Sequence, residues 1–306
     1  MKVIKEEEEI LKEPYKELIK EEVEHNLGFF FIIFLVSYVF SYMIPGIISC
    51  LFLIFFFGPY ILNNNNLISL IIQWKSLLIL ILVPFVIIGC YLIHLFFMAL
   101  ITRIFWQWTE KISPTKSGII PRNIHSKTLH LYHIRSFLYK YPKNLFRKGI
   151  FPWLTNWLYN FVGISKIGKG TTIEDQFAAD KFLDVGKNCY LGVGSGISSH
   201  FVEGIFGNIS YSEIKFGDNV TLGGFCNIAP GCELGDNSYL LPLTAATKHN
   251  KTEGNNYYFG MPLRRIFKKK TMQYLKVSEE DLEKAEELRK KQEQQKKMKN
   301  EVKIDD

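Results

Sequence analysis

His200 is the side chain in this sequence best suited to acid–base chemistry, and Glu203 follows it three residues later. An imidazole with a pKa of about 6.5 can take a proton from an attacking hydroxyl group at neutral pH. A nearby carboxylate could hold the other ring nitrogen and so orient the ring. We therefore predict a catalytic pair, with a histidine in a surface loop and a solvated glutamate as the alternatives.

Four further residues could bind a substrate or a donor. Gly224 and Asn227 follow it in the chain and are predicted to line the same cleft, although a bend and an asparagine ladder would explain them too. Arg264 and Arg265 precede a basic run at 268–270 and could hold phosphate groups through charge-assisted hydrogen bonds. A basic run that ends the domain and adds solubility, or contact with lipid headgroups, explains these arginines equally well.

The remaining histidines and the cysteines do not suggest a metal site. His125, His130 and His133 lack the spacing of a closed site and have no cysteine near them, so we interpret them as polar interface residues. His249 is expected in a loop. The five cysteines have no metal-type or disulfide-type spacing, and we expect them to be reduced and packed.

The elements that must position these residues begin with two long apolar runs. No Asp, Glu, Lys or Arg lies between Glu24 and Lys75, or between Lys75 and Arg103. Such runs exceed the roughly 18 apolar residues that suggest a membrane span, and they exclude a simple soluble protein. A secretory signal peptide is excluded as well, because the run starts late and is too long.

The flanking charges predict the orientation of these runs. Lysines precede the first run, residues 63–66 between the runs carry no charge, and residues 103–152 carry ten Lys or Arg against one Glu. Positive flanks favour the cytoplasmic side, so we predict two spans with both termini and the following domain in the cytoplasm. Pro45 and Gly46 divide the first run, which is either one kinked helix or a tight hairpin, and four spans are the alternative.

The chain then divides into five predicted segments. Residues 1–26 form a charged helix, 27–106 the transmembrane region, 107–162 a basic and aromatic connector, 163–266 a repeat domain, and 267–306 a charged helical tail. Residues 151–161 within the connector are amphipathic and predict a helix at the membrane interface. The tail is rich in Glu–Lys pairs four residues apart, which favour a solvated helix.

The repeat domain has the clearest pattern in the sequence, an apolar residue every six positions with a small residue often behind it. The apolar positions are Ile167, Ile173, Val185, Leu191, Ile197, Phe216, Leu222, Ile228, Leu234 and Leu240. A period of six fits neither a helix nor a flat sheet. It predicts a triangular left-handed parallel β-helix with 18 residues per turn. A glycine-rich sandwich is the alternative.

The register of this repeat breaks between Ile197 and Phe216, and His200 lies inside the break. A solenoid that interrupts itself usually does so for a loop on one face, often the binding face. The sequence therefore predicts a functional loop beside the coil.

At this point the sequence resembles the hexapeptide-repeat acyltransferases. Residues 216–236 carry the repeat, and Gly-Met-Pro-Leu-Arg at 260–264 is similar to the family's Gly-x-Pro-Ala stretch. The membrane-anchored layout resembles the C-terminal region of ε-poly-lysine-synthetase-like proteins, in which membrane helices precede a basic aromatic connector and a coil with a histidine. The matching pieces are the two apolar runs and residues 158–168 and 199–203.

This resemblance implies acyl transfer from an acyl-CoA-type thioester to a hydroxyl or amine, with a histidine as general base. It also implies a homotrimer with active sites between subunits, no bound cofactor, and acyl-CoA as co-substrate. Arg264 and Arg265 would then hold the coenzyme A phosphates. Membrane lipids are the expected partners, and no motif that reads bases suggests nucleic acid.

Two other functions remain open from the residues. The first is a non-catalytic trimeric scaffold tethered to the membrane, because a fold does not imply a function. The second is a zinc hydrase of the γ-carbonic-anhydrase kind, which would need three histidines around an open position. Of the two histidines within residues 163–266, His200 lies beside the repeats and His249 lies outside them, so the number of possible ligands argues against this second function.

Overall fold

The computed structural model describes residues 27–63, 67–122, 124–174, 181–204 and 207–266, and isolated residues between 280 and 294. The predicted charged helix at 1–26 lies outside the described residues. Scattered residues between 280 and 294 are helical, and most of the predicted tail lies outside the described residues.

Two long apolar helices form the N-terminal part. Helix α1 spans Leu27–Phe52 and continues as a π-helical stretch, Leu53–Leu62; α2 spans Leu67–Ile72 and α3 spans Trp74–Ile112. The segments Gly28–Leu62 and Trp74–Ile112 are long and apolar enough to cross a bilayer, by length and composition only.

The first apolar run is a single helical segment rather than a hairpin. The chain stays helical through Pro45 and Gly46 and reaches Leu62 without a turn. It packs along α3, where Ser49 Oγ and Cys90 Sγ lie 3.4 Å apart. The hairpin alternative is therefore wrong, and the described residues contain two long apolar helices rather than four.

The connector forms a layer of its own on the ends of these helices. It consists of strand β1 (Gly118–Ile120), helix α4 (Lys127–Arg147), a 3₁₀ turn (Pro152–Leu154) and helix α5 (Thr155–Val162). Ser126 caps α4 by accepting a hydrogen bond from the Leu129 backbone N–H at 3.1 Å, which satisfies one of the free donors of the first turn.

A buried arginine fixes α4 against α3. The Arg135 guanidinium donates to Thr109 Oγ1 at 3.0 Å and pairs with Glu110 at 3.2 Å. Helix α5 is shorter than the interfacial helix that was predicted over 151–161, and its Trp157 is exposed. Leu158 and Tyr159 are fully buried between α3, α4 and the first strands of the next domain.

Residues 164–266, the sheet domain, coil through three parallel sheets. Thr172 pairs with Tyr190, and Thr221 with Tyr239, so the chain returns to the same sheet after 18 residues. The strands of these sheets are β2 (Lys166–Ile167), β3 (Thr172–Ile173), β4 (Leu183–Val185), β5 (Tyr190–Leu191), β6 (Gly196–Ile197), β9 (Ile214–Phe216), β10 (Thr221–Leu222), β11 (Asn227–Ile228), β12 (Glu233–Leu234), β13 (Tyr239–Leu240), β14 (Ala245–Ala246), β15 (Lys251–Thr252), β16 (Tyr257–Phe259) and β17 (Arg264–Ile266). The sheet orders are β2-β4-β9-β12-β15, β3-β5-β10-β13-β16-β17 and β6-β11-β14, with β17 antiparallel.

The six-residue pattern is confirmed as the core of this domain. Of the ten predicted apolar positions, all are buried except Ile173, which is half-buried. The small residues lie where successive turns of the coil stack closely. A Cβ atom on Gly186 would lie 2.3 Å from the carbonyl oxygen of Gly217, so a larger residue there would force the backbone apart.

The break in the repeat is a β-hairpin rather than a loop. Strands β7 (His200–Glu203) and β8 (Asn208–Tyr211) are antiparallel, and β8 also pairs with β1 of the connector. The hairpin thus joins the coil to the layer formed by the connector. Because of it, Thr221 pairs with Tyr190, 31 residues earlier instead of 18.

Candidate active site

His200 lies at the point where the chain leaves the coil for the hairpin. It is the first residue of β7 and follows β6, the first strand of the three-stranded parallel sheet. Its backbone is held by Ser198, whose Oγ donates to the His200 carbonyl oxygen at 2.6 Å. Its ring stands edge-on to Tyr132 of α4, with the ring centroids 5.7 Å apart. The connector therefore supplies one wall of the histidine's surroundings.

His200 lines two cavities of different character. The first, which we call the basic cavity, measures about 500 Å³ and lies between α4 and the hairpin. The second, which we call the groove, measures about 690 Å³ and lies on the face of β6, β11 and β14. Besides His200, the basic cavity is lined by Arg122, Tyr132, His133, Ser136, Tyr139, Lys140, Lys143, Lys181, Val202 and Ile209. The groove is lined by Gly196, Ser198, Phe201, Glu203, Asn227, Ile228, Ala229, Ala245, Ala246, Thr247, Lys248 and Met261.

The imidazole is neutral at physiological pH. Burial lowers the pKa of His200 to about 4, and the positive charges of Lys181 and His133 lower it further in the same direction. Its Nδ1 is buried and has no hydrogen-bond partner among the described residues. A neutral ring with an unsatisfied nitrogen can accept a proton or bind a donor on a substrate.

Lys181 is a second functional candidate, and the sequence did not suggest it. Only 3% of the residue is exposed, and its Nζ donates to Ser136 Oγ and lies 3.8 Å from the centre of the Tyr132 ring. Burial, with the charges of Arg135 and Lys140, lowers the pKa of Lys181 to about 7. A lysine just before a strand gives no local sign of burial, so only the packing of α4 reveals it.

Glu203 does not orient His200 as predicted. Its carboxylate accepts a hydrogen bond from Lys248 Nζ at 2.6 Å instead. The prediction assumed a loop, but both residues lie on strand β7, where successive side chains point to opposite faces. Residues three apart are therefore on opposite faces: His200 and Val202 line the basic cavity, while Glu203 and Phe201 line only the groove.

The predicted binding residues are divided by the fold. Asn227 is exposed on β11 and lines the groove together with His200. Gly224 lies in the turn before β11, accepts a hydrogen bond from the Leu243 backbone, and does not line the groove.

The two arginines are on another sheet. Arg264 and Arg265 lie on β17, at the edge of the six-stranded sheet, and both are exposed. Arg265 pairs with Glu253 at 3.2 Å. That they bind the phosphates of a donor stays a prediction, and the geometry places them on a different sheet from the three strands that carry the groove.

The part of the chain that the structure describes has no cluster of potential metal ligands. No group of three His, Cys, Asp or Glu residues there is arranged to hold an ion. The five cysteines are unpaired, and Cys189, Cys226 and Cys232 are buried in the coil. His133 lines the basic cavity, and His249 is an exposed turn residue.

The sequence of this chain is similar to that of one curated protein. It is 28% identical over 153 residues to the putative acetyltransferase YvoF of Bacillus subtilis, a match that covers 47% of this chain and 86% of the relative. The match supports an O- or N-acyltransferase. No family model matches the chain.

Solved structures with partial similarity are also acetyltransferases. A maltose O-acetyltransferase from Clostridium difficile is 26% identical, with a TM-score of 0.31, and the match covers 35% of this chain and 59% of that one. A hexapeptide-repeat acetyltransferase from Vibrio cholerae, complexed with acetyl coenzyme A, is 14% identical, with a TM-score of 0.37, covering 41% and 81%. The present chain thus spans less than two thirds of the first of these proteins.

Proposed function

We propose that this protein is a membrane-bound acyltransferase that moves an acyl group from an acyl-CoA-type thioester to a hydroxyl or amine acceptor, with His200 as general base. The observation that carries the proposal is the position of His200 between two cavities. Of the described residues, it lines both the groove and the basic cavity. A base that must meet a donor and an acceptor needs such a position.

The groove is the proposed donor site. Its floor carries small side chains, Gly196, Ala229, Ala245 and Ala246, which leave room for an extended ligand along the sheet. A Cβ on Gly196 would lie 2.4 Å from Asn227 Oδ1, so the glycine is what makes space for the asparagine in the groove. The acceptor then enters from the basic cavity on the other side of His200.

His200 can both accept and return the proton that the transfer step requires. The acceptor oxygen or nitrogen attacks the thioester carbonyl carbon while the neutral imidazole of His200 takes its proton. The tetrahedral intermediate collapses, the carbon–sulfur bond breaks, and the imidazolium returns the proton to the departing thiolate. The products are an ester or amide and the free thiol of coenzyme A.

The surrounding architecture is part of the proposal. We propose that the sheet domain is a left-handed parallel β-helix that assembles as a homotrimer. We also propose that the two apolar helices span the membrane and leave both termini and the β-helix in the cytoplasm. The 18-residue register supports the coil, and the basic connector at the end of α3 supports this orientation. Arg264 and Arg265 remain candidates for a coenzyme A contact only if a neighbouring subunit brings them to the groove.

The scaffold alternative has less support. A scaffold would be favoured by a cleft that side chains fill, with His200 buried in it. Within the described chain, His200 instead lines two open volumes. The zinc alternative would need ligands beyond the one histidine in the coil, and His249 is in an exposed turn.

The first test is thiol release from a panel of acyl-CoA donors, from short to long, by the full chain in detergent with and without a membrane lipid extract. Release that depends on the protein and on an acceptor would support the proposal and give the donor length. A folded protein that releases no thiol from any donor would contradict it and favour the scaffold.

A groove variant tests where the donor binds. We expect Thr247→Trp to raise KM for acyl-CoA by about tenfold or more, because an indole on this exposed, groove-lining position occupies the proposed donor site. The matched control is Thr172→Trp, an exposed threonine on β3 in a different sheet, which should leave KM unchanged. Equal kinetics for both variants would place the donor elsewhere.

A further inference from the structure

A third, apolar cavity against helix α1 shares one wall with the basic cavity. This apolar cavity measures about 360 Å³ and contains Phe30, Phe31 and Phe34 of α1 and Phe137 of α4. The two cavities have three lining residues in common, His133, Ser136 and Lys140. These residues are spaced three and four apart on α4, so one face of this helix runs from His200 to the apolar helix.

The basic cavity is strongly cationic. Arg122, Lys140, Lys143 and Lys181 all line it, and none of its described lining residues is acidic. The charges of Arg135 and Lys140 act on Lys181 in the direction that disfavours its protonation. Because like charges so close together repel one another, an anion beside Lys181 and Lys140 would lower the free energy of this cavity.

The burial of Lys181 is a second reason to expect an anion in this cavity. It is almost completely buried, and its contacts are a hydroxyl and two aromatic rings, with Nζ at 3.8 Å from the Tyr132 centroid and 5.5 Å from that of Tyr211. None of the contacts recorded for it within the described chain is with a carboxylate. Burying an ammonium group this way is costly unless a ligand of opposite charge joins it.

We infer that the acceptor of the transferred group is a lipid with a phosphate-bearing headgroup. The headgroup phosphate binds in the basic cavity between Lys181, Lys140 and Lys143, and this places a headgroup hydroxyl or amine beside His200. The hydrocarbon chain leaves through the apolar cavity along Phe30, Phe31 and Phe34, on a helix that carries no charged residue. The inference rests on the proposed function, of which it specifies the acceptor.

A water-soluble phosphate ester shares the headgroup chemistry but leaves the apolar cavity without a role. The lipid is favoured because the cationic and the apolar cavities share side chains, and because α1 is long and apolar enough to lie in a bilayer. An amphiphile is the ligand that fills both cavities at once.

The experiment separates binding from transfer. The full chain in detergent is titrated with phosphatidylglycerol, phosphatidylcholine or glycerol 3-phosphate, without any acyl-CoA, and bound lipid is measured by native mass spectrometry. We expect phosphatidylglycerol to bind and the soluble ester to bind at least about tenfold more weakly. We expect the double variant Lys140→Gln, Lys143→Gln to lose about tenfold in phosphatidylglycerol affinity.

The matched control is Lys169→Gln, an exposed lysine of the sheet domain away from both cavities, which should bind like the wild type. In vesicles of phosphatidylcholine with phosphatidylglycerol, the double variant should raise KM for the anionic lipid and change kcat little. Binding of the soluble ester as tightly as the lipid, or binding that ignores Lys140 and Lys143, would overturn the inference.

The two possible failures are distinguishable. Thiol release toward soluble or uncharged acceptors, with no preference for phosphatidylglycerol, would overturn the lipid acceptor and leave acyl transfer intact. Tight phosphatidylglycerol binding that depends on these lysines, without thiol release from any donor, would overturn the acyltransferase and retain the lipid site.

Discussion

Replacing His200 by asparagine lowers kcat/KM for acyl transfer by about 10²- to 10⁴-fold, the usual contribution of a general base. Asparagine can still hydrogen-bond, but it cannot take the proton of the acceptor. The variant should fold, because the backbone of His200 is held by Ser198 and its ring makes an edge contact with Tyr132. The measurement is thiol release under saturating and limiting acceptor, with unfolding followed in parallel.

His249→Asn is the matched control for this variant. His249 is an exposed histidine in a turn of the same domain with a φ of 56°, a conformation that asparagine tolerates. The His249→Asn variant should retain wild-type activity. Full activity of the His200 variant would remove the general base from the proposal, and equal losses in both variants would indicate a folding defect.

The acidic side of the pH profile reports the same imidazole. The pKa of His200 is lowered to about 4 by burial first, then by Lys181 and His133, so the neutral, proton-accepting form persists far below the ordinary value of 6.5. We expect kcat/KM to stay level as pH falls through 6.5 and to decline only as it approaches about 4. A decline centred at 6.5 in steady-state kinetics would show that His200 is solvated, contrary to the structure.

Lys181→Met should stabilise the protein and weaken its function at the same time. Methionine has a similar length, and replacing buried ionic groups by apolar residues of similar volume is often neutral or stabilises a protein by about 1–4 kcal/mol. Ser136 loses a donor, but its hydroxyl still donates to the Tyr132 carbonyl oxygen at 2.8 Å. Binding of phosphatidylglycerol should fall by about tenfold or more, because a charge-assisted contact to phosphate is lost.

The stabilisation expected from Lys181→Met depends on pH, and the pKa values of Lys181 give its direction. The pKa of Lys181 is about 7 in the folded protein against 10.5 when unperturbed, so the unfolded chain binds more protons between these values. Its cost to the folded state is therefore complete below about 7 and disappears near 10.5. In denaturant unfolding, Lys181→Met should have a larger free energy of unfolding than the wild type below about pH 7. This difference should disappear near pH 10.5.

Lys169→Met controls for the loss of a surface charge and should change neither stability nor lipid binding, since Lys169 is exposed. A destabilised Lys181→Met would mean that an anion or a carboxylate already neutralises this lysine. The same variant should raise the pKa of His200, because Lys181 is one of the charges that lower it. The acidic limb of the pH profile should then move upward.

The regular parts of the protein could be predicted from the amino-acid sequence. The six-residue spacing defined the core of the coil, with Leu222 and Leu240 fully buried as expected. The apolar runs defined two long helices. Both patterns are local, because a repeating hydrophobic period reports which face of a short segment is covered. His200 was found in the same way, as the histidine inside a break of that period.

The surroundings of this histidine could not be predicted from the sequence, because they are formed by segments that are distant along the chain. Tyr132 and Lys181 come from the connector and from the first part of the coil, and the pairing of β8 with β1 brings them to it. The strand conformation of β7 directs the Glu203 and His200 side chains to opposite faces, and Glu203 pairs with Lys248 instead. Arg264 is separated from the groove because the two lie on different sheets of the coil. Such contacts depend on long-range packing and strand register, which no local period in the sequence encodes.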